Sequence, residues 1–120
     1  MIFEINNYLS LREAVENVSR VLKERDVPAE RVFDARLVVS ELVGNVLRHA
    51  KTTATLGVEI DGEFLEMYVQ SSVAFMPPTL SKKAAVFAES GRGLFLVDSV
   101  SDERSATKDG GIRVRIKINN

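Results

Sequence analysis

The chain has 120 residues, 45% of them apolar and 28% charged, the composition of an ordinary globular domain with enough length to bury a core. Lys and Arg number 16 against 17 Asp and Glu, a net charge of −1, so the basic excess that holds a protein to phosphate backbones is missing and nucleic acid is not an expected partner. The absence of cysteine excludes disulfides, zinc–thiolate sites and cysteine nucleophiles, and the single histidine, His49, argues against a multi-histidine metal centre.

In chain order, Met1 to Ile5 is short and apolar, is ended by Asn6 and Asn7, and is expected to form an edge strand. Ser10 is placed to begin a helix, its hydroxyl capping the first turn while Glu13 reaches back. Leu11, Val15, Val18 and Leu22 keep helical spacing to about Glu24. Asp26-Val-Pro28 breaks the pattern, and Pro28 suits the first turn of the next helix.

That helix, running to about Ala50, is the most informative stretch. Val32, Ala35, Val39, Leu42, Val43 and Val46 form an apolar stripe wide enough to cover one side of a sheet. Asp34, Glu41, Asn45 and Arg48 stack along a different face, with Val38 among them and Leu37 and Gly44 beside them. A carboxylate followed four residues later by a carboxamide presents oxygens on successive turns, suited to a hard cation such as Mg2+ or to a poised proton acceptor. The competing reading is a solvated polar stripe with no further role. Gly44 costs about 1 kcal/mol of helix propensity relative to Ala, and suits a place where a backbone or ligand comes close.

Beyond Ala50 the periodicity switches to alternation. Ala54, Leu56, Val58 and Ile60 point one way; Thr53, Thr55, Gly57 and Glu59 point the other. Asp61-Gly62 signals a two-residue hairpin, and the return strand, Glu63 to Gln70, offers Leu65, Met67 and Val69 to the core. Ser71 to Leu80 reads as a loop stiffened by Pro77-Pro78, and Ser81 to Ala88 as a weakly helical lid. Glu89-Ser-Gly91-Arg-Gly93 is a glycine-rich turn before an apolar helix, Leu94 to Val100. Backbone N–H groups there can meet an anion, although a Gly-x-Gly is often only a loop needing positive φ. A second hairpin closes the chain: a strand near Ser101 to Thr107, the turn Lys108-Asp-Gly-Gly111, and the strictly alternating Ile112 to Ile118. Strands with helices gathered to one side predict a two-layer α+β sandwich, one domain over 1–120. With no membrane-length apolar run and no signal-peptide pattern, a cytoplasmic protein is expected.

Two stretches resemble a known superfamily. Ser40-Glu-Leu-Val-Gly-Asn-Val-Leu-Arg-His-Ala50 looks like the asparagine box of the GHKL ATPases, and Ser90-Gly-Arg-Gly-Leu-Phe-Leu-Val97 like their second glycine box. The size, element order and closing Gly110-Gly111-Ile-Arg-Val resemble the branch of bacterial anti-sigma factors that are also serine-protein kinases. The resemblance implies the histidine-kinase-like ATPase (Bergerat) fold, with a mixed, mostly antiparallel sheet covered by helices on one face and ATP held between helices and lid. It makes Glu41 the general base, Asn45 the Mg2+ ligand, and Gly91, Arg92 and Gly93 the phosphate cradle. Arg48 and His49 fall near the end of the polar face; for His49 a structural hydrogen bond at a helix C-terminus stands beside a catalytic role.

The departures from the family pattern concern the base. Where the family carries Asp-x-Gly-x-Gly, this chain has Ser71-Ser72-Val73-Ala74-Phe75. Ser71 thus takes the adenine-binding position without its carboxylate, and losing that charge-assisted bond costs about 1.5–3 kcal/mol, on the order of ten- to a hundredfold in affinity. Phe75 adds bulk toward the adenine pocket, and Ile112 replaces a threonine near the phosphates. The expectation is therefore an anti-sigma-factor-like regulator working by partner switching, with weak or absent ATP and Mg2+ binding. Its implied partners are a sigma factor, an antagonist protein, or a second copy in a homodimer. An active ATP- and Mg-dependent serine-protein kinase is the alternative, related domains of two-component or phosphatase-linked switches share the pattern, and an unrelated structural domain is the third reading.

Overall fold

The computed structural model describes residues 1–50, 52–71, 91–107 and 110–118. The lid, the Pro77-Pro78 loop, Val73, Phe75 and the Lys108-Asp109 turn lie outside them. The described elements are β1 (Ile2–Ile5), α1 (Tyr8–Glu24), α2 (Ala29–Asn45) with a π-helical turn (Val46–Ala50), β2 (Ala54–Asp61), β3 (Phe64–Ser71), α3 (Gly91–Val100), β4 (Glu103–Ala106) and β5 (Ile112–Lys117).

The helix starts differ from expectation by readable amounts. α1 begins at Tyr8, capped by Asn7, whose Oδ1 accepts from the Ser10 N–H at 2.7 Å while Ser10 Oγ accepts from the Asn7 N–H at 3.1 Å. The capping box is present, but Ser10 is its reciprocal member and Asn7 the cap, because Asn caps at least as well as Ser and the earlier start adds a turn. α1 ends in a Schellman turn: Asp26, at φ 60, sends its N–H to the Lys23 carbonyl, and Val27 sends its own to Leu22. Pro28 is the residue before α2, its carbonyl accepting from Arg31 and Val32.

All sheet pairings among the described residues are antiparallel, in the order β1-β2-β3-β5-β4, so β1 is an edge strand as expected. The β2–β3 hairpin closes on Gly62-Glu63, with Asp61 paired to Phe64. Gly62 sits at φ 61 while Glu63 does not share a positive φ, the II′ geometry that fits strand twist and needs glycine first. Ser71 is the last residue of β3, paired with Ala54, and not the start of a loop. The first strand of the closing hairpin is shorter than expected, Glu103–Ala106, and leaves a longer connection to β5.

α1 and α2 pack on each other and lie over one sheet face. The expected apolar positions Leu11, Val15, Val18 and Leu22, the whole α2 stripe, Leu56, Val58, Leu65, Met67, Val69, Val114 and Ile116 are buried together. This is the two-layer α+β sandwich of the sequence reading. Asp98 of α3 grips Arg104 of β4 in a two-pronged pair, Nε–Oδ1 2.6 Å and Nη2–Oδ2 3.1 Å, and that hydrogen bond raises the guanidinium pKa further.

Candidate functional site

The polar face of α2 is where the sequence placed its chemistry, and the structure divides it. At the N-terminal end Asp34, 13% exposed, is taken up by Arg31 at 2.6 Å. Val38, next along the same face, is fully buried, Glu41 is half-buried, and Asn45 is 0% exposed. A stripe that merely met water would not bury its carboxamide, so the solvated-stripe reading fails for the C-terminal half. What covers this face is α3, which packs along α2 with Val97 fully buried.

The end of α3 meets the start of α2. Ser99 and Val100 at the end of α3 share a cleft of about 640 Å3 with Glu30, Arg31, Phe33 and Asp34 at the start of α2. The glycines are not a turn ahead of the helix, as expected, but its first turn, since α3 begins at Gly91. Packing along α2 offsets the roughly 1 kcal/mol that each glycine costs inside a helix. Glu41 and Asn45 lie in the C-terminal half of α2 and Gly91, Arg92 and Gly93 open α3, while Asp34 lines the cleft at the start of α2.

Ser71 ends β3, half-buried. Ile112 opens β5 at 6% exposed, paired with Val69 and Ala106 as part of the core, so the β5 start offers no hydroxyl to a ligand. Just before it, a Cβ on Gly111 would stand 2.7 Å from the Val69 carbonyl oxygen, so only glycine fits.

One residue carries more than the sequence reading gave it. Arg48, exposed and set in the π-helical turn after α2, donates from Nη2 to Asn45 Oδ1 at 2.7 Å. Its Nη1 lies 3.1 Å from where a Cβ on Gly44 would be. The group that comes close at Gly44 is this guanidinium. The signal was in the sequence as Gly-Asn-x-x-Arg, with arginine four residues past the glycine and three past the asparagine.

Residues 6–118 match the histidine kinase-like ATPase domain. The chain belongs to that family. No curated protein matches it. Histidine kinase-like ATPase domains bind ATP and Mg2+ in general, which asks whether these residues fit both. An anion fits: the first turn of α3 supplies backbone donors and the positive end of a helix dipole. Mg2+ carried by a nucleotide keeps several waters and needs only one or two protein ligands. The expected one, Asn45 Oδ1, accepts from Arg48 Nη2 at 2.7 Å, so the metal fits there where Arg48 gives up that bond. None of the described helices is long and apolar enough to cross a membrane.

Proposed function

We propose that this histidine kinase-like ATPase domain is an anti-sigma-factor-like regulator, acting in the cytoplasm as a single domain that switches between protein partners and binds ATP weakly. Its partners are a sigma factor, an antagonist protein, or both, and a homodimer is its working form. The observation that carries the weak-ATP part is the exit of β3, where a serine stands in the place of the family's adenine-binding aspartate. Ser71 accepts a hydrogen bond but supplies no charge, so base recognition falls while the phosphate end of the site keeps its parts.

The test pairs partner and nucleotide. Mixed with sigma factors of its host, the protein should form a stoichiometric complex by size-exclusion chromatography whether or not ATP is present. Isothermal titration should give ATP binding no tighter than about 100 μM, and Ser71→Asp should tighten it on the order of tenfold. Low-micromolar binding by the wild type with no gain from Ser71→Asp would remove the weakened-site reading. Failure to engage any sigma factor would remove the regulatory one.

The kinase reading is favoured by Glu41, half-buried one turn before Asn45, where a base could take a hydroxyl proton. Under that reading Glu41→Ala abolishes phosphate transfer to an antagonist serine, by at least a hundredfold, with the circular dichroism spectrum unchanged. Transfer at the wild-type rate would exclude Glu41 as the base.

A further inference from the structure

α1 and α2 cover one face of the sheet, and the strand residues that alternate onto the other face are all exposed or half-buried. Among the described residues, that face is open. β3 is the third of the five strands and runs down its middle. The register sets the outward residues in rows across it, Asp61, Phe64 and Lys117 in one and Glu59, Glu66 and Arg115 in the next. The two sides of β3 carry opposite charge. β2 presents Glu59 and Asp61, β5 presents Arg113, Arg115 and Lys117, and Phe64 and Tyr68 mark the line between them. On that line Glu66 is already shared by Arg115 at 3.7 Å and Arg113 at 3.9 Å, and Arg115 lies over the Phe64 ring, 4.2 Å from its centroid. Glu59, Asp61 and Lys117 have no ion-pair partner among the described residues.

We infer that a second copy of this chain packs face to face on the open sheet about a two-fold axis along β3, with Asp61 of each copy paired to Lys117 of the other. The inference rests on the homodimer reading above and names its surface. Turned by 180° about that axis, the second copy lays its β5 on this β2 and its β2 on this β5, row for row. Asp61 then meets Lys117 and Glu59 meets Arg115, each twice, as a two-fold contact requires. Phe64 and Tyr68 meet their own counterparts on the axis, where aromatic pairs add to the burial. About the axis across the strands, β2 would face β2 and β5 would face β5, acid on acid and base on base, which like-charge repulsion opposes. The charges therefore choose the orientation, and the aromatic line supplies the attraction. At about 4.8 Å between strands and 3.3 Å per residue, the face offers on the order of 500 Å2 on each copy, about the lower bound for a specific interface.

The experiment is sedimentation equilibrium at low salt on the wild type, Lys117→Asp, Asp61→Lys, and a one-to-one mixture of the two variants. Both positions are exposed, and circular dichroism checks that each variant is folded. Each variant alone should dimerise at least about tenfold more weakly, because its two copies set like charges opposite one another. The mixture should recover wild-type affinity within about threefold, since Asp at 117 of one chain then meets Lys at 61 of the other and the native pair stands at the second contact. No change within a single chain produces that recovery. A wild-type dimer that neither variant weakens would overturn this surface and leave the homodimer standing. Weakened variants whose mixture does not recover would overturn the pairing and its axis. A wild type that stays monomeric up to about 1 mM would remove the homodimer itself, and its interface with it.

Discussion

Leu42→Ala should destabilise the protein by about 3–4 kcal/mol, the largest stability effect expected of a single truncation here. Leu42 is 0% exposed, at the centre of the α2 stripe that faces the sheet. Its neighbours along that stripe, Val39, Val43 and Val46, are buried too, and the strands beneath present Leu56, Leu65 and Met67. None of these can move into the gap without leaving its own contacts, so the cavity persists and its cost adds to the lost burial. The urea midpoint should fall with the slope m unchanged, since the same surface is exposed on unfolding. Leu9 is the internal control: at 65% exposed, its truncation should stay within about 0.5 kcal/mol. Equal small losses at both positions would mean that α2 is not seated on the sheet as described.

Gly111→Ala should cost about 2–3 kcal/mol and lower the melting temperature by about 10 °C. The new methyl would stand 2.7 Å from the Val69 carbonyl oxygen and 3.0 Å from Thr107 Oγ1. Thr107 is tied in twice, its N–H donating to the Gly111 carbonyl at 2.9 Å and its Oγ1 accepting from the Gly111 N–H at 2.8 Å. The clash is therefore with backbone and with a fixed side chain, and relief requires β5 to part from β3. Gly57→Ala makes the comparison sharp. There the nearest atom to an added Cβ is 3.8 Å away, on Tyr68, an ordinary contact. That variant should be neutral or gain up to about 1 kcal/mol from the unfolded state. Matching losses at Gly57 and Gly111 would point to a general intolerance of side chains in this sheet and away from the close approach at Val69.

These sites also mark what the sequence made legible. The alternation of Ala54 to Ile60 and of Ile112 to Ile118 predicts strands and their inward faces, because period two leaves only one way to bury the apolar set. The α2 stripe was readable for the same reason at period 3.6. The helix caps were less so: Asn7 and Ser10 are both good caps, and only the extra turn gained by the earlier start decides between them. Asp26 in the left-handed region could not be read, since a Schellman turn is set by the packing of Leu22 and Val27. Of the site, Glu41, Asn45 and the glycines were recognisable as motif positions. The burial of Asn45 was not, because it depends on α3, and no periodicity in α2 says that a second helix covers its polar face. Arg48 was seen only as the end of a stripe. Its bond to Asn45 depends on the π-helical turn, which helical spacing alone does not foresee.

The strand order carries a consequence for biosynthesis. β5 lies between β3 and β4, so among the described strands the one made last is the one that joins them. Until residues 112–117 leave the ribosome, β3 presents an unpaired edge from Phe64 to Val69, and β4 has no neighbour among the described strands. A nascent chain stalled before that point carries α1, α2 and a sheet with one open, largely apolar margin, the kind of margin that recruits other chains. β5 therefore acts as the closure step of this sheet, removing the open margin of β3 when it inserts.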